Sequence, residues 1–155
     1  MSDYVFPNIE ELLAQKGEAI TSTAGLSMYP MLRNRRDMVV IKKPCRELSR
    51  NDVPLYRMKS GKLVLHRILS VKGDKYIIRG DNLYAKEIVD KNQIIGVLSS
   101  FYRGGKFYDC ETNKIYKLYV VLMRLTYPLR FTFAKVIRPV IRPVLSKIKH
   151  LIIKK

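Results

Sequence analysis

The stretch GLSMYPMLRNRRDMVVI, residues 25–41, leads from a serine through a short basic loop into a strand-like run. Pro30 follows Ser27 by three residues, and proline disfavours the α region for the residue before it. We therefore expect Ser27 to lie on an extended turn after a strand and outside any helix. Such a serine is either a turn residue or a nucleophile, and a nucleophile needs a base within hydrogen-bond reach.

Short strand-like runs separated by turn residues continue on both sides of this stretch. Residues 72–74, KGD, and residues 103–106, RGGK, have the composition of hairpin turns. Closely spaced short strands predict a mainly β fold, a coiled antiparallel sheet or barrel. A short helix capped by Asn8 and ended by Gly17 should precede it. The predicted strands are residues 19–24, 38–42, 53–58, 63–71, 76–79, 94–102 and 107–110.

Charge divides the chain into two parts. The 155 residues are 47% apolar, enough for a domain with a sizeable core, and their net charge is +17. Residues 112–155 contain eleven Lys or Arg and no Asp or Glu, which leaves a net charge of +6 on residues 1–111. We predict a β domain, residues 1–111, and a basic amphipathic helical tail, residues 112–155. Pro128, Pro139 and Pro143 should break this basic tail into two or three short helices.

From residue 114 onward the basic tail alternates apolar runs with single cations, and three interpretations compete. It can form helices packed on the β domain, bind nucleic acid, or lie on an anionic membrane surface. Leu, Ile and Val dominate between the cations, and no nucleic-acid motif accompanies them, so we expect no nucleic-acid partner. The composition favours the membrane surface, where each cation adds about 1 kcal/mol.

The N-terminal residues and the length of the apolar runs predict where in the cell the protein lies. Residues 1–7 lack the basic start and apolar stretch of a signal peptide. No window reaches the roughly 18 continuous apolar residues of a membrane-spanning helix. We therefore expect a cytoplasmic protein held peripherally at the inner face of a bacterial membrane.

Cysteine and histidine are scarce. Cys45 and Cys110 are too few for a disulfide framework, and together with His66 and His150 they do not have the spacing of a zinc site. We expect two free thiols, no metal site and no cofactor.

His66, in KLVLHRILSV, is the one histidine inside the predicted β region. Strand alternation places Val64 and Ile68 on its face, and apolar surroundings keep an imidazole neutral and able to act as a base near pH 7. A lysine is the other possible base for a serine, since Ser–Lys pairs also occur. Asp81, in IIRGDN, either orients the histidine or holds a turn.

Five motifs follow one another between residues 25 and 98: GLSMYPML, DVPLYR, LVLHRI, IIRGDN and QIIGVL. This ordered set resembles the signal peptidase and LexA-like serine peptidase superfamily, in the histidine form of the archaeal and endoplasmic-reticulum signal peptidases. The resemblance implies that Ser27 is the nucleophile and His66 the general base. It implies an acidic partner at Asp81, or alternatively at Glu87.

The resemblance also implies how substrate binds. An extended peptide would lie along strand edges beside the serine, in contact with Met28, Val53 and Leu55. The chain departs from the family pattern because only 26 residues, without a membrane-spanning helix, precede Ser27. It therefore looks like a small member without an N-terminal transmembrane anchor.

These features predict a serine endopeptidase that cleaves an extended peptide or leader segment with a Ser–His dyad. One alternative is a non-catalytic module of the same fold that binds a peptide or protein partner. Another is a LexA-like regulator that binds DNA through the basic tail, although no N-terminal helix-turn-helix is evident. The substrate and the oligomeric state stay open.

Overall fold

The computed structural model describes residues 9–137 and confirms the predicted fold class: it is mainly β, with a strongly curled antiparallel half-barrel. Helix α1, Ile9–Lys16, comes first and ends at Gly17, whose N–H donates to the Leu13 carbonyl. The predicted cap, Asn8, lies outside the described residues. The strands are β1 Glu18–Ser22, β2 Met38–Lys42, β3 Pro54–Arg57, β4 Leu63–Leu65, β5 Arg67–Lys72, β6 Lys75–Arg79, β7 Glu87–Asp90, β8 Ile94–Arg103 and β9 Lys106–Asp109.

The strands form two antiparallel sheets. The larger has the order β1-β2-β8-β3-β4, and the smaller has the order β5-β6-β7. Strand β8 organises the larger sheet because it is ten residues long and pairs with β2 on one side and with β3 and then β9 on the other. Strands β1 and β4 are the outer strands of this order. The hairpin turns predicted at residues 72–74 and 103–106 are confirmed by the β5–β6 and β8–β9 pairs.

Two features of the strand prediction are wrong. The run 63–71 is not one strand, because the chain passes from the larger sheet to the smaller one at His66. Beyond this point the backbone of Ile68 exchanges hydrogen bonds with the loop at residues 51–52 instead of with β3. The structure also contains β7, which was not predicted because charged residues at both its ends hide the apolar pair between them.

The hydrophobic core joins the two sheets close to His66, where the chain passes from one sheet to the other. Tyr56, on β3 of the larger sheet, packs in one buried cluster with residues of the smaller sheet. The other members of this cluster are Leu48, Ile68, Tyr76, Ile78 and Val89. His66 therefore lies at a junction whose two sides are fixed by well-packed strands.

The described residues form two compact units that divide between Lys117 and Leu118. The C-terminal helices are α2, Lys114–Leu125, and α3, Tyr127–Thr132, followed by a π-helical turn, Phe133–Ile137. Pro128 lies in the first turn of α3, where a proline is tolerated, so the helix breaks just before it as expected. Pro139 and Pro143 lie outside the described residues, and the domain boundary after residue 111 stays a prediction. Among residues 9–137 we find no helix with the length and apolar character needed to cross a membrane.

Candidate active site

Ser27 lies on a turn between β1 and β2, outside any helix, as predicted. The backbone of this turn is held by Asn82, whose N–H donates to the Ser27 carbonyl at 2.8 Å and whose side-chain amide donates to the Leu26 carbonyl at 3.1 Å. The GDN sequence thus lies directly against the serine turn. The Ser27 hydroxyl itself makes no hydrogen bond to any residue of the described chain. Serines that stabilise turns use the hydroxyl for this purpose, so the side chain is not needed for the turn.

A buried ion pair fixes the loop that follows the serine. Asp37 is fully buried and accepts hydrogen bonds from the Arg33 N–H at 2.8 Å and from its guanidinium at 2.7 Å. Burial raises the pKa of Asp37, but the hydrogen bonds from Arg33 outweigh burial and leave this pKa below its ordinary value. The carboxylate therefore stays ionised at neutral pH and ties the start of β2 to Arg33 in this loop.

His66 is 4% exposed and lies between β4 and β5. Its Nδ1 atom is 3.0 Å from the Tyr56 hydroxyl and 3.4 Å from Oε1 of Glu87. The Tyr56 hydroxyl in turn donates to Oε2 of Glu87. One ring nitrogen of the histidine is therefore occupied by a tyrosine and a carboxylate, which leaves Nε2 for a reacting group.

The surroundings of His66 favour its neutral form. Burial lowers the pKa of His66 below its ordinary value, and the nearby carboxylates of Glu87 and Asp81 oppose this shift without reversing it. Lys62 adds to the lowering. The imidazole is therefore unprotonated near pH 7, which is the state that a general base requires.

Gly80 brings the histidine and the serine turn together. A Cβ atom at position 80 would lie 2.7 Å from the Ser27 carbonyl oxygen and 3.1 Å from Nε2 of His66. Only a residue without a side chain allows this approach. Ser27 and His66 form no direct hydrogen bond here, but catalytic hydrogen bonds are often long before substrate binds.

The two candidate acidic partners have different neighbours. Asp81 forms a bidentate ion pair with Arg67, with distances of 2.8 Å from Nε to Oδ1 and 2.7 Å from Nη2 to Oδ2. Both residues are buried. Glu87, and not Asp81, is therefore the carboxylate within 3.4 Å of the Nδ1 atom of His66.

A cavity of about 620 Å³ opens beside Ser27 and His66. The end of β1 and the whole of β4 line it, so two outer strands of the larger sheet reach the same space. Of the predicted substrate contacts, Met28 and Leu55 also line the cavity. Val53 does not: it is fully buried and its carbonyl accepts the N–H of Leu98 on β8.

Sequence reasoning missed Tyr56 and the role of Gly80. Tyr56 lies in DVPLYR, where an aromatic residue is ordinary for a buried strand, so no local signal distinguishes it. Gly80 belongs to the GDN motif, but its closeness to both Ser27 and His66 depends on the fold.

Comparison with known proteins gives no identification. The chain matches no protein-family model. It also has no significant match among curated proteins. The resemblance to the signal peptidase and LexA-like superfamily therefore stays a prediction based on the ordered motifs.

Proposed function

We propose that the protein is a serine endopeptidase in which Ser27 is the nucleophile and His66 is the general base. One observation carries the proposal: a neutral, buried imidazole presents Nε2 toward the glycine that also touches the Ser27 turn, at the wall of one cavity. A serine whose hydroxyl makes no hydrogen bond within the described chain, in the same cavity as a base with a free nitrogen, fits nucleophilic catalysis better than a binding surface.

The reaction follows from these atoms. The Ser27 Oγ atom attacks the carbonyl carbon of the peptide bond, and its proton passes to Nε2 of His66. The carbon–nitrogen bond then breaks, and His66 returns the proton to the leaving amine. Water attacks the resulting ester with His66 again as base, which releases the new carboxyl end and regenerates the serine.

The backbone near the serine can stabilise the charge that develops on the carbonyl oxygen. The Ser27 N–H donates to no group within residues 9–137. A backbone N–H next to the nucleophile is suited to donate to the oxyanion of the tetrahedral intermediate. We assign this role to Ser27.

The shape of the cavity supports an extended substrate. Outer strands have unused backbone donors and acceptors, and an extended peptide can pair with them as an additional strand. Strands β1 and β4 both line the cavity, so a peptide in it has a strand edge on either side. Met28 and Leu55 contribute apolar surface for its side chains.

The test is a comparison of protein N-termini across the proteome of cells that carry the wild-type protein or Ser27→Ala. We expect a small set of N-termini that vanish in the variant, and these would give the substrate. Identical N-termini at equal expression would favour a non-catalytic module that binds peptides in the same cavity.

Activity should depend on pH through His66. The base acts only when neutral, so kcat/KM should fall as the pH drops through the pKa of His66. Because burial lowers this pKa, the midpoint should lie below the ordinary value of about 6.5. Since the carboxylate of Glu87 raises the pKa of His66, Glu87→Gln should move the midpoint to still lower pH. Measurement of kcat/KM against pH for both proteins checks this, and a midpoint that moves upward in the variant would contradict it.

We also propose that the basic tail binds an anionic membrane surface. The support is a row of exposed leucines at helical spacing, Leu118, Leu122, Leu125 and Leu129, in a segment with cations and no acidic residue. Exposed apolar side chains among cations suit the boundary between lipid headgroups and acyl chains. We propose the cytoplasmic face of the inner membrane as the location, in keeping with this membrane-binding tail.

Vesicle sedimentation tests the membrane proposal. The wild type should bind vesicles of phosphatidylglycerol and not of phosphatidylcholine, and Leu122→Asp with Leu125→Asp should weaken binding by at least about tenfold. Ile88→Asp is the control because Ile88 is as exposed as Leu125, at 70% against 69%, but lies on β7. Equal binding to both kinds of vesicle, or binding to DNA in preference to both, would overturn the proposal.

A further inference from the structure

Tyr56 stands between the general base and its carboxylate. We propose that Tyr56 is a positioning residue: its hydroxyl accepts the Nδ1 proton of His66 and donates its own proton to Glu87, which fixes the ring for catalysis. The inference rests on the proposed function and adds to it a residue, Tyr56, through which the acidic partner acts.

Counting protons gives the direction of each bond. A tyrosine hydroxyl has one proton to donate and can also accept. The Glu87 carboxylate can only accept, so the proton between Tyr56 and Glu87 belongs to the tyrosine. The 3.0 Å contact between the Tyr56 hydroxyl and His66 Nδ1 must then run the other way, with Nδ1–H as the donor. The Oε1 atom of Glu87, 3.4 Å from Nδ1, is a second and weaker acceptor for the same proton.

This assignment leaves the lone pair of His66 on Nε2. A neutral imidazole carries one proton, and placing it on Nδ1 makes Nε2 the acceptor. The Nε2 atom lies on the side of Gly80, whose other close neighbour is the Ser27 carbonyl oxygen. The ring is thus held in the tautomer whose Nε2 atom can accept the proton of the serine.

The tyrosine can hold this position because it is itself fixed. Tyr56 is 1% exposed and pairs across the sheet with Val64, two residues before His66. His66 directly follows the last residue of β4, and the Tyr56 and His66 rings lie 6.0 Å apart. Burial, and then the hydrogen bond to Glu87, raise the pKa of Tyr56 well above its ordinary value, so the hydroxyl keeps its proton at neutral pH.

Tyr56→Phe removes the hydroxyl and keeps the ring. The first readout is the pair of ring ¹⁵N chemical shifts of His66, which report the tautomer directly; the chain has only two histidines, so His66→Gln assigns the signals. We expect the wild type to carry its proton on Nδ1 alone. In Tyr56→Phe we expect a mixture that includes the Nε2–H tautomer.

The second readout is kinetic. In metal sites, removing the group that orients a histidine through its second ring nitrogen typically lowers activity or metal affinity about 10- to 100-fold. The hydroxyl of Tyr56 orients His66 in the same way, so we expect a fall in kcat of that size with little change in KM. Tyr76→Phe is the matched control, because Tyr76 is buried in the same cluster but its hydroxyl bonds to neither His66 nor Glu87 among the described residues. It should keep the wild-type tautomer and kcat.

The outcomes separate this inference from the proposed function. The tautomer is measured without substrate, so a shifted tautomer in Tyr56→Phe supports the hydrogen-bond assignment even if no peptide is cleaved. If cleavage depends on Ser27 but Tyr56→Phe keeps both the wild-type tautomer and the wild-type kcat, the positioning role is overturned and the peptidase proposal stands.

Discussion

Replacing Ser27 with alanine should lower kcat/KM for a cleaved peptide by at least about 10⁴-fold, because the proposed mechanism forms the ester intermediate on the Ser27 Oγ atom. The fold should be unaffected. The Ser27 hydroxyl makes no hydrogen bond within the described chain, while the backbone that holds the turn is unchanged by the substitution. Initial rates on the identified peptide, together with the free energy of unfolding, measure both effects.

Two further variants make this result specific. Ser70→Ala is the matched control, since Ser70 is also half-buried but lies on β5 and does not line the cavity; it should retain full activity. His66→Gln should lose about as much activity as Ser27→Ala, and the double variant should lose no more, because the two residues act as a unit. Cleavage by Ser27→Ala at the wild-type rate would remove Ser27 from the mechanism.

The fold could be predicted as far as local signals determine it. Glycine-containing turns at residues 72–74 and 103–106 reveal two hairpins, and short apolar runs reveal most strands. The continuous apolar pattern around His66 hid the change of sheet there. That change depends on hydrogen bonds between Ile68 and the loop at residues 51–52, which no local pattern encodes.

The candidate site, like the fold, could be predicted from the sequence only in part. Ser27 and His66 were predicted from the order of five motifs, and that order carries no information on the distance between the two residues. Tyr56 and Glu87 meet His66 only because β3 pairs with β4 and β6 pairs with β7 in a particular register. Asp81 and Glu87 lie only six residues apart in the chain, and the fold gives them different surroundings: Asp81 pairs with Arg67, whereas Glu87 contacts Tyr56 and His66.

Removing the Arg67 side chain should cost about 3–5 kcal/mol of folding free energy. Arg67→Ala takes away a bidentate guanidinium partner of the buried Asp81 carboxylate, and breaking a buried ion pair from one side is costly. The guanidinium also donates to the Asn51 carbonyl at 2.9 Å and to the Tyr116 hydroxyl at 3.0 Å. Urea denaturation of the variant and the wild type measures the difference.

A more exposed bidentate ion pair provides the control. Arg46 and Asp52 also form two hydrogen bonds, at 2.7 and 3.0 Å, but half of the Arg46 side chain is exposed. Arg46→Ala should therefore cost no more than about 1 kcal/mol. A similar cost for Arg46→Ala and Arg67→Ala would mean that burial does not set the strength of the Arg67–Asp81 pair.

The Arg67–Asp81 ion pair decides between the two candidate acidic residues, Asp81 and Glu87. If Asp81 stabilises the fold, Asp81→Asn should lower the free energy of unfolding about as much as Arg67→Ala does. A combined Arg67→Met, Asp81→Leu variant removes both charges. It should therefore lose less free energy of unfolding than the two single losses added together, because neither charge is left buried. Glu87→Gln should instead lower kcat and leave stability nearly unchanged, since the Glu87 side chain is 31% exposed. An Asp81→Asn protein with wild-type stability and no activity would reverse these roles, making Asp81 the acid on which His66 depends.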